Sequence, residues 1–210
     1  MQTFNQNCEL CPRLTGFLAE VKEKYPDYHC LPVAAVGVTK PDVLIVGLAP
    51  GLHGANATGR PFTGDYAGIL LYETLHKYGY SNKPESASLD DGLKLTRCRI
   101  TNAVKCLPPE NKPTTQEVKT CNAYLQVELK SLKKGAVVLV LGSIAHDAVL
   151  RALALKKRDY AFGHGNVHEL PSGQWLVSSY HCSRYNTQTK RLTTQMFHDV
   201  FEIIAEITSS

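Results

Sequence analysis

The sequence predicts a three-layer α/β/α fold around a central, four-stranded, mainly parallel sheet, and three observations predict it. First, four short apolar runs punctuate the chain: Asp42–Leu48 (DVLIVGL), Arg99–Cys106 (RITNAVKC), Ala136–Leu141 (AVVLVL) and Trp175–Tyr180 (WLVSSY). Runs this short, bounded by Pro41, Gly47 and Gly142, read as strands buried on both faces, the signature of a parallel sheet. Second, stretches of helical period separate the runs, so strand and helix alternate as in an α/β domain. Third, 210 residues with 43% hydrophobic and 20% charged side chains suffice for a single domain, 1–210, with a substantial core.

Taken in order, residues 9–24 place Leu14, Phe17, Leu18 and Val21 on one helical face. Residues 25–40, with Pro26, Pro32 and Gly37, read as loop. The first strand follows and stops at Gly47. The stretch VLIVGLAPGLHGANATGRPFTGD then carries four more glycines, two prolines and a single loop carboxylate, Asp65. Ile69, Leu70, Tyr72 and Leu75 share a face, predicting a helix over 66–78. Residues 81–95 are polar and read as exposed. The second strand runs into Leu107–Thr114, whose three prolines exclude regular structure. Thr114 and Glu117 have the spacing of a capping box and open a helix over 115–132. Gly142-Ser143 opens the next helix, to about Leu155, after the third strand. An amphipathic helix over 192–207 closes the series.

In open α/β sheets, ligands bind beyond the C-terminal ends of the strands. Three loops rich in reactive side chains converge there: 47–65, 106–114 and 181–191. The glycine loop lacks the GK[ST] ending of a phosphate-cradling loop, which disfavours phosphoryl transfer. A formal net charge of +4 is compatible with a polyanionic partner without demanding one. No apolar run approaches the ~20 residues of a membrane span. The start, MQTFNQNCELCPRL, lacks the basic-then-apolar order of a signal peptide. The expectation is a cytoplasmic protein without a membrane partner.

Seven cysteines are many for such a compartment, where reducing conditions disfavour disulfides. Cys8 and Cys11 form a C-x2-C pair; Cys106 and Cys121 form a second pair that spans the proline-rich loop into a helix. Four thiolates suit a tetrahedral zinc or a [4Fe–4S] cluster, and ligand type alone does not separate the two. Such a centre would tie the chain start to the middle of the fold and supply folding energy directly. Cys30, Cys98 and Cys182 have no such pairing. Cys98 reads as strand-edge packing, Cys30 as a competing ligand in a different loop, and Cys182 as packing beside His181.

Together, GLAPGLHGANATGRPFTGD, TNAVKC, YHCSRYNTQT and the four spaced cysteines resemble the uracil-DNA glycosylase superfamily. The similarity is to its iron–sulfur branch, family 5, found in bacteria and archaea, and it runs from Cys8 to at least Thr193. The resemblance implies the α/β/α fold and a structural [4Fe–4S] cluster on Cys8, Cys11, Cys106 and Cys121. It implies a monomer in a bacterial or archaeal cell, associated with the nucleoid. It implies hydrolytic excision of uracil, with hypoxanthine and other deaminated bases as further substrates, from single- or double-stranded DNA. The related family 4 has an acidic residue after the first glycine, as GEAPG; here Leu48 stands there and can neither accept a proton nor orient water.

That departure moves the catalytic carboxylate to Asp65, expected to stabilise the cationic sugar and position water; the competing role for Asp65 is a helix cap. His181, after the fourth strand, is expected to donate to uracil O2 as charge builds there. Asn102 offers one donor and one acceptor, matching uracil O4 and N3–H. Phe62 is expected to stack on the flipped base. Gly47, Ala49 and Gly51 allow close backbone approach. His53 is read as supporting the leaving base or a phosphate, and Asn56 as holding the loop or a water. Ser183, Arg184, Tyr185, Asn186 and Gln188 form a polar loop expected to probe the minor groove, with Arg184 and Tyr185 as plugs. Lys112, Lys190 and Arg191 would add salt-dependent affinity. The alternative is a non-catalytic iron–sulfur nucleic-acid-binding module.

Overall fold

Residues 4–209 are described by a computed structural model, in which six strands and seven α-helices alternate. The strands are β1 (Val36–Gly37), β2 (Val43–Gly47), β3 (Cys98–Asn102), β4 (Val137–Leu141), β5 (Val167–Glu169) and β6 (Trp175–Ser179). The helices are α1 (Pro12–Lys24), α2 (Ala55–Thr58), α3 (Tyr66–Lys77), α4 (Thr115–Lys130), α5 (Ser143–Ala152), α6 (Arg184–Gln188) and α7 (Thr194–Ser209). They form one sheet of order β1-β3-β2-β4-β6-β5.

The four strands expected from the sequence are its centre, all parallel, with Gly47 opposite Asn102 and Val46 opposite Val140. The sheet has six strands rather than four because a short antiparallel strand closes each edge. β1 pairs Val36 with Ile100, and β5 pairs Val167 with Val177. Two and three residues are too few to show a period, and edge strands this short blunt the open hydrogen-bonding rim.

Alternation of side chains across the sheet makes two cores. Leu44, Val46, Val138 and Val140 face α1, α4 and α5. Val43, Ile45, Val137 and Leu139 face α3 and α7, where Leu71, Leu75, Phe197 and Phe201 are buried. The three layers follow from that division. Cys98 sits in the second core, fully buried on a strand flanked by β1 and β2, so the expected strand-edge position is wrong; the edge residues lie on β1. No helix among the described residues is long and apolar enough to cross a membrane.

Element ends are set by local chemistry. The Thr114–Glu117 capping box forms in both directions, with Thr114 N–H donating to Glu117 Oε2 at 2.7 Å and Glu117 N–H to Thr114 Oγ1 at 3.2 Å. The second strand is shorter than expected, ending at Asn102, although the N–H groups of Ala103 and Val104 still donate to the Gly47 and Leu48 carbonyls beside it. The proline-rich loop contains one 3-10 turn, Pro109–Asn111, with Glu110 and Asn111 both left-handed.

Candidate active site

Beyond the C-terminal ends of β2, β3 and β6 lies a cavity of about 380 Å³. Its walls include Leu48, Ala49 and Gly51 after β2, Asn102 at the end of β3, His181 after β6, and Phe62, Asp65 and Tyr66 from the glycine loop and the start of α3. This is where a doubly wound sheet places its site.

Asp65 is both a helix cap and a cavity wall. Its Oδ1 accepts from Gly68 N–H at 2.9 Å, which fixes the carboxylate and satisfies an otherwise orphaned donor of α3. One oxygen is engaged there, and the other faces the glycine loop: a Cβ at Gly54 would lie 2.7 Å from Oδ2. Glycine at 54 is therefore what admits the carboxylate. Burial raises the Asp65 pKa above the ordinary value of 3.8, against the opposing pull of the Gly68 and Ala67 amides. Beneath it, Cys182 is fully buried and its thiol is pushed up to about 12 by burial, so it is an inert packing group.

Across the cavity, the His181 imidazole lies with its centroid 6.0 Å from that of Phe62. Burial lowers its pKa below 6.5, so it is neutral at physiological pH. Its ring makes no hydrogen bond among the described residues; only its backbone carbonyl is used, by Asn186 Nδ2 at 2.8 Å. Asn102 is likewise 3% exposed with an uncommitted side-chain amide. A buried polar group without a protein partner is costly unless a ligand or water completes it. The half-buried His181 ring and the buried Asn102 amide thus line one cavity with Asp65 while making no hydrogen bond to the described residues.

Phe62 holds a left-handed backbone, φ 57°, and is 6% exposed. Non-glycine residues in that region carry strain that clusters at functional sites. Its ring and Asn102 press on Gly47: a Cβ there would meet Asn102 Oδ1 at 2.4 Å and Phe62 Cζ at 2.6 Å. Glycine at 47 thus leaves the room that the Asn102 and Phe62 side chains occupy.

The glycine loop is braced from behind. Arg60, 5% exposed, places Nη1 2.9 Å from both Asp91 oxygens and 2.8 Å from Ser86 Oγ, while Nη2 donates to Leu89 O at 2.6 Å. That guanidinium and nearby amides hold the Asp91 carboxyl well below the usual carboxylate range. Residues 81–95, expected as exposed polar loop, thereby anchor the cavity's main loop.

Two expected substrate contacts stand apart from the lining. His53 is exposed and its Nδ1 bonds Tyr28 OH at 2.8 Å, beside the stacked Tyr25–Tyr28 pair. Asn56 is fully buried, with Nδ2 3.5 Å from Cys30 Sγ, and it holds the loop through Cys30 N–H donating to its carbonyl. The 181–191 segment is less of a free loop than expected. Ser183 caps α6 by accepting from the Asn186 backbone N–H at 3.4 Å, and the Asn186 side chain is held separately by its bond to the His181 carbonyl. Arg184 stands 5.9 Å over the Tyr66 ring, Tyr185 is 71% exposed, and Gln188 is exposed on α6. Tyr66 and Asn111 line the cavity and were not anticipated. The signals were an aromatic directly after the lone loop carboxylate and an Asn following the Pro-Pro pair.

On the α1/α4 side, Cys8, Cys11, Cys106 and Cys121 line a second cavity. Burial pushes the Cys106 thiol up to about 12 and Cys121 up to about 11, and the four sulfurs raise one another. Arg13 and Glu117 clamp α1 to α4 beside them with bonds of 2.8 and 2.7 Å. No group of three or more His, Cys, Asp or Glu among the described residues is drawn together tightly enough to hold a metal ion as it stands.

A family model described as the uracil DNA glycosylase superfamily matches residues 34–205. A type-5 uracil-DNA glycosylase of Thermus thermophilus is 46% identical over 198 residues, covering 92% of this chain and 90% of that protein. One from Pyrobaculum aerophilum is 42% identical, covering 92% and 86%. A type-4 uracil-DNA glycosylase of Archaeoglobus fulgidus is 34% identical over 66% of this chain and 62% of that protein.

Proposed function

From the premise that the chain belongs to the uracil DNA glycosylase superfamily and, within it, to the type-5 uracil-DNA glycosylases, we propose how its residues release a base from DNA. It is a uracil-excising DNA repair glycosylase, a hydrolase acting on DNA. The observation that carries the residue assignment is the facing arrangement of Asp65, neutral His181 and uncommitted Asn102 around one cavity.

The target nucleotide leaves the stack and its base enters between Phe62 and the opposite wall. Asn102 reads the O4/N3 edge with its free amide. His181 donates to O2 as negative charge moves onto the departing base; a neutral donor suffices, because preorganised dipoles stabilise charge without transferring a proton. Asp65 faces the sugar, where its carboxylate offsets the developing positive charge and orients water. Leu48 lines the cavity but supplies no base, so the carboxylate work falls on Asp65 alone. Arg184 and Tyr185, projecting at the mouth, fill the gap left in the duplex.

Hypoxanthine is the second base to test, because it presents the same kind of carbonyl and N–H edge as uracil. Duplex and single-stranded oligonucleotides carrying one uracil or one hypoxanthine, incubated with the protein and treated with alkali, are expected to break at the lesion. No break at uracil overturns the assignment; a break at uracil alone confines the activity to it. Gly47→Ala is expected to lower the rate of uracil release about 100-fold or more, because the added methyl displaces Asn102 and Phe62 together. Single-turnover kinetics at saturating enzyme check this.

The four cysteines fit an iron–sulfur cluster. They line one cavity, and four thiolates are the donor set that such a cluster takes. Cys8, Cys11, Cys106 and Cys121 would hold it. When bound it supplies a covalent staple between the chain start and α4.

A further inference from the structure

Lys105, next to Cys106, is 1% exposed, the most deeply buried lysine or arginine among the described residues. Its Nζ reaches Thr101 Oγ1 and lies 3.0 Å from Glu128 Oε1. Its own backbone N–H donates to Cys121 Sγ at 3.3 Å. Glu128 Oε2 is buried without a hydrogen-bond partner. An ion pair in which one oxygen is orphaned is a poor return on the desolvation of two charges, and an apolar side chain of similar length would fill the space more favourably. A second anion close to the ammonium would offset part of that cost.

The four-cysteine cavity lies beside this lysine. Lys105 lines that cavity with Cys8, Cys11, Cys106 and Cys121, and its backbone amide is bonded to the Cys121 sulfur. A four-iron, four-sulfide core on four thiolates is a net dianion in its resting state, and burial keeps solvent counter-ions away. We propose that Lys105 is the internal counter-charge of the cysteine-held centre and that Glu128 sets how much of that charge the centre feels. This rests on reading the four cysteines as cluster ligands. Taking the ammonium away makes loss of an electron from the cluster easier; taking the Glu128 carboxylate away makes it harder.

The test uses full-length protein purified without oxygen. Iron content and the absorbance band at about 400 nm are measured first, then the rate at which ferricyanide bleaches that band. Lys105→Met is expected to bleach at least about three-fold faster than the parent protein and Glu128→Gln at least about three-fold slower, with Lys105→Arg close to the parent. A purely mechanical brace between β3 and α4 would make both variants bleach faster, and that result overturns the inference, as does no change in either. If Lys105→Met fails to fold, Glu128→Gln decides: slower bleaching supports the counter-charge, and equal or faster bleaching overturns it. Parent protein with neither iron nor the band overturns the cluster reading itself, before any variant is made.

Discussion

Asp65→Asn is expected to lower the single-turnover rate of uracil release by about 100- to 1000-fold while leaving the melting temperature unchanged or raised. The two halves of that result have one cause. Asparagine is as good an N-cap as aspartate, so the bond from Gly68 N–H to the side chain survives and α3 keeps its start. What disappears is the negative charge facing the sugar. Burial raises the carboxyl's pKa in the folded protein, so the folded state prefers the protonated form. A group shifted upward contributes its stability fully at pH below its unfolded value and loses that contribution as pH rises through its folded value. At neutral pH, ionised Asp65 is therefore a local liability that Asn removes. The melting-temperature difference between variant and parent should narrow as pH falls towards 4, because the parent's carboxyl is then increasingly protonated. Asp65→Ala separates the effects: the same loss of rate, but a loss of about 1 kcal/mol of stability as the cap goes. An Asp65→Asn protein with parental activity would return Asp65 to the capping role alone. The acid limb of the pH–rate profile carries the same signature, lying above the ordinary carboxylate value of 3.8 in the parent.

His181→Ala is expected to cost about 100- to 1000-fold in rate with little change in DNA affinity, since its donor matters only as charge reaches the leaving base. Binding to an uncleavable uracil analogue, measured beside the rate, separates the two. The imidazole is already neutral, its pKa held below 6.5 by burial, so the parental rate should not fall between pH 7 and 8 through loss of a proton from this residue. A rate that falls steeply over that interval, and no longer falls in His181→Ala, would mean that the imidazolium is the active form. Loss of affinity in proportion to rate would mean that His181 serves ground-state binding instead.

Much of this was legible because the relevant signals are local. The parallel strands are continuous apolar runs, the Thr114–Glu117 box is a four-residue pattern, and both formed as expected. Asp65, His181, Asn102 and Phe62 were legible because each sits at a strand or loop end where the sheet must place a site, and one cavity gathers all four. The departures lie where a residue's role depends on a partner far along the chain. His53 and Asn56 belong to the same loop as Asp65, but Tyr28 claims the first, while Asn56 holds the loop through Cys30, one of the two roles expected of it. Sequence proximity to a site does not tell which way a loop side chain turns. Ser183 and Asn186 are polar residues in a loop expected to meet DNA, but the Ser183 side chain caps α6 and the Asn186 side chain bonds the His181 carbonyl. β1 and β5 carry no period of their own and exist because the neighbouring strand offers them hydrogen bonds. Lys105 carries no signal in the sequence that sets it apart from other lysines, and its burial is visible only in the fold.

The Arg60–Asp91 pair gives the protein an unseen foundation. Ser86, Leu89 and Asp91 never approach the cavity, and Leu89 is 49% exposed. Yet they hold the guanidinium that shapes the stretch between Gly59 and Phe62, and through Phe62 the wall against which a base would rest. A stretch that looks like disposable surface is in this respect masonry. Drift in residues 81–95 would be felt first as a loosened grip on the damaged base, at a distance from any residue that touches it.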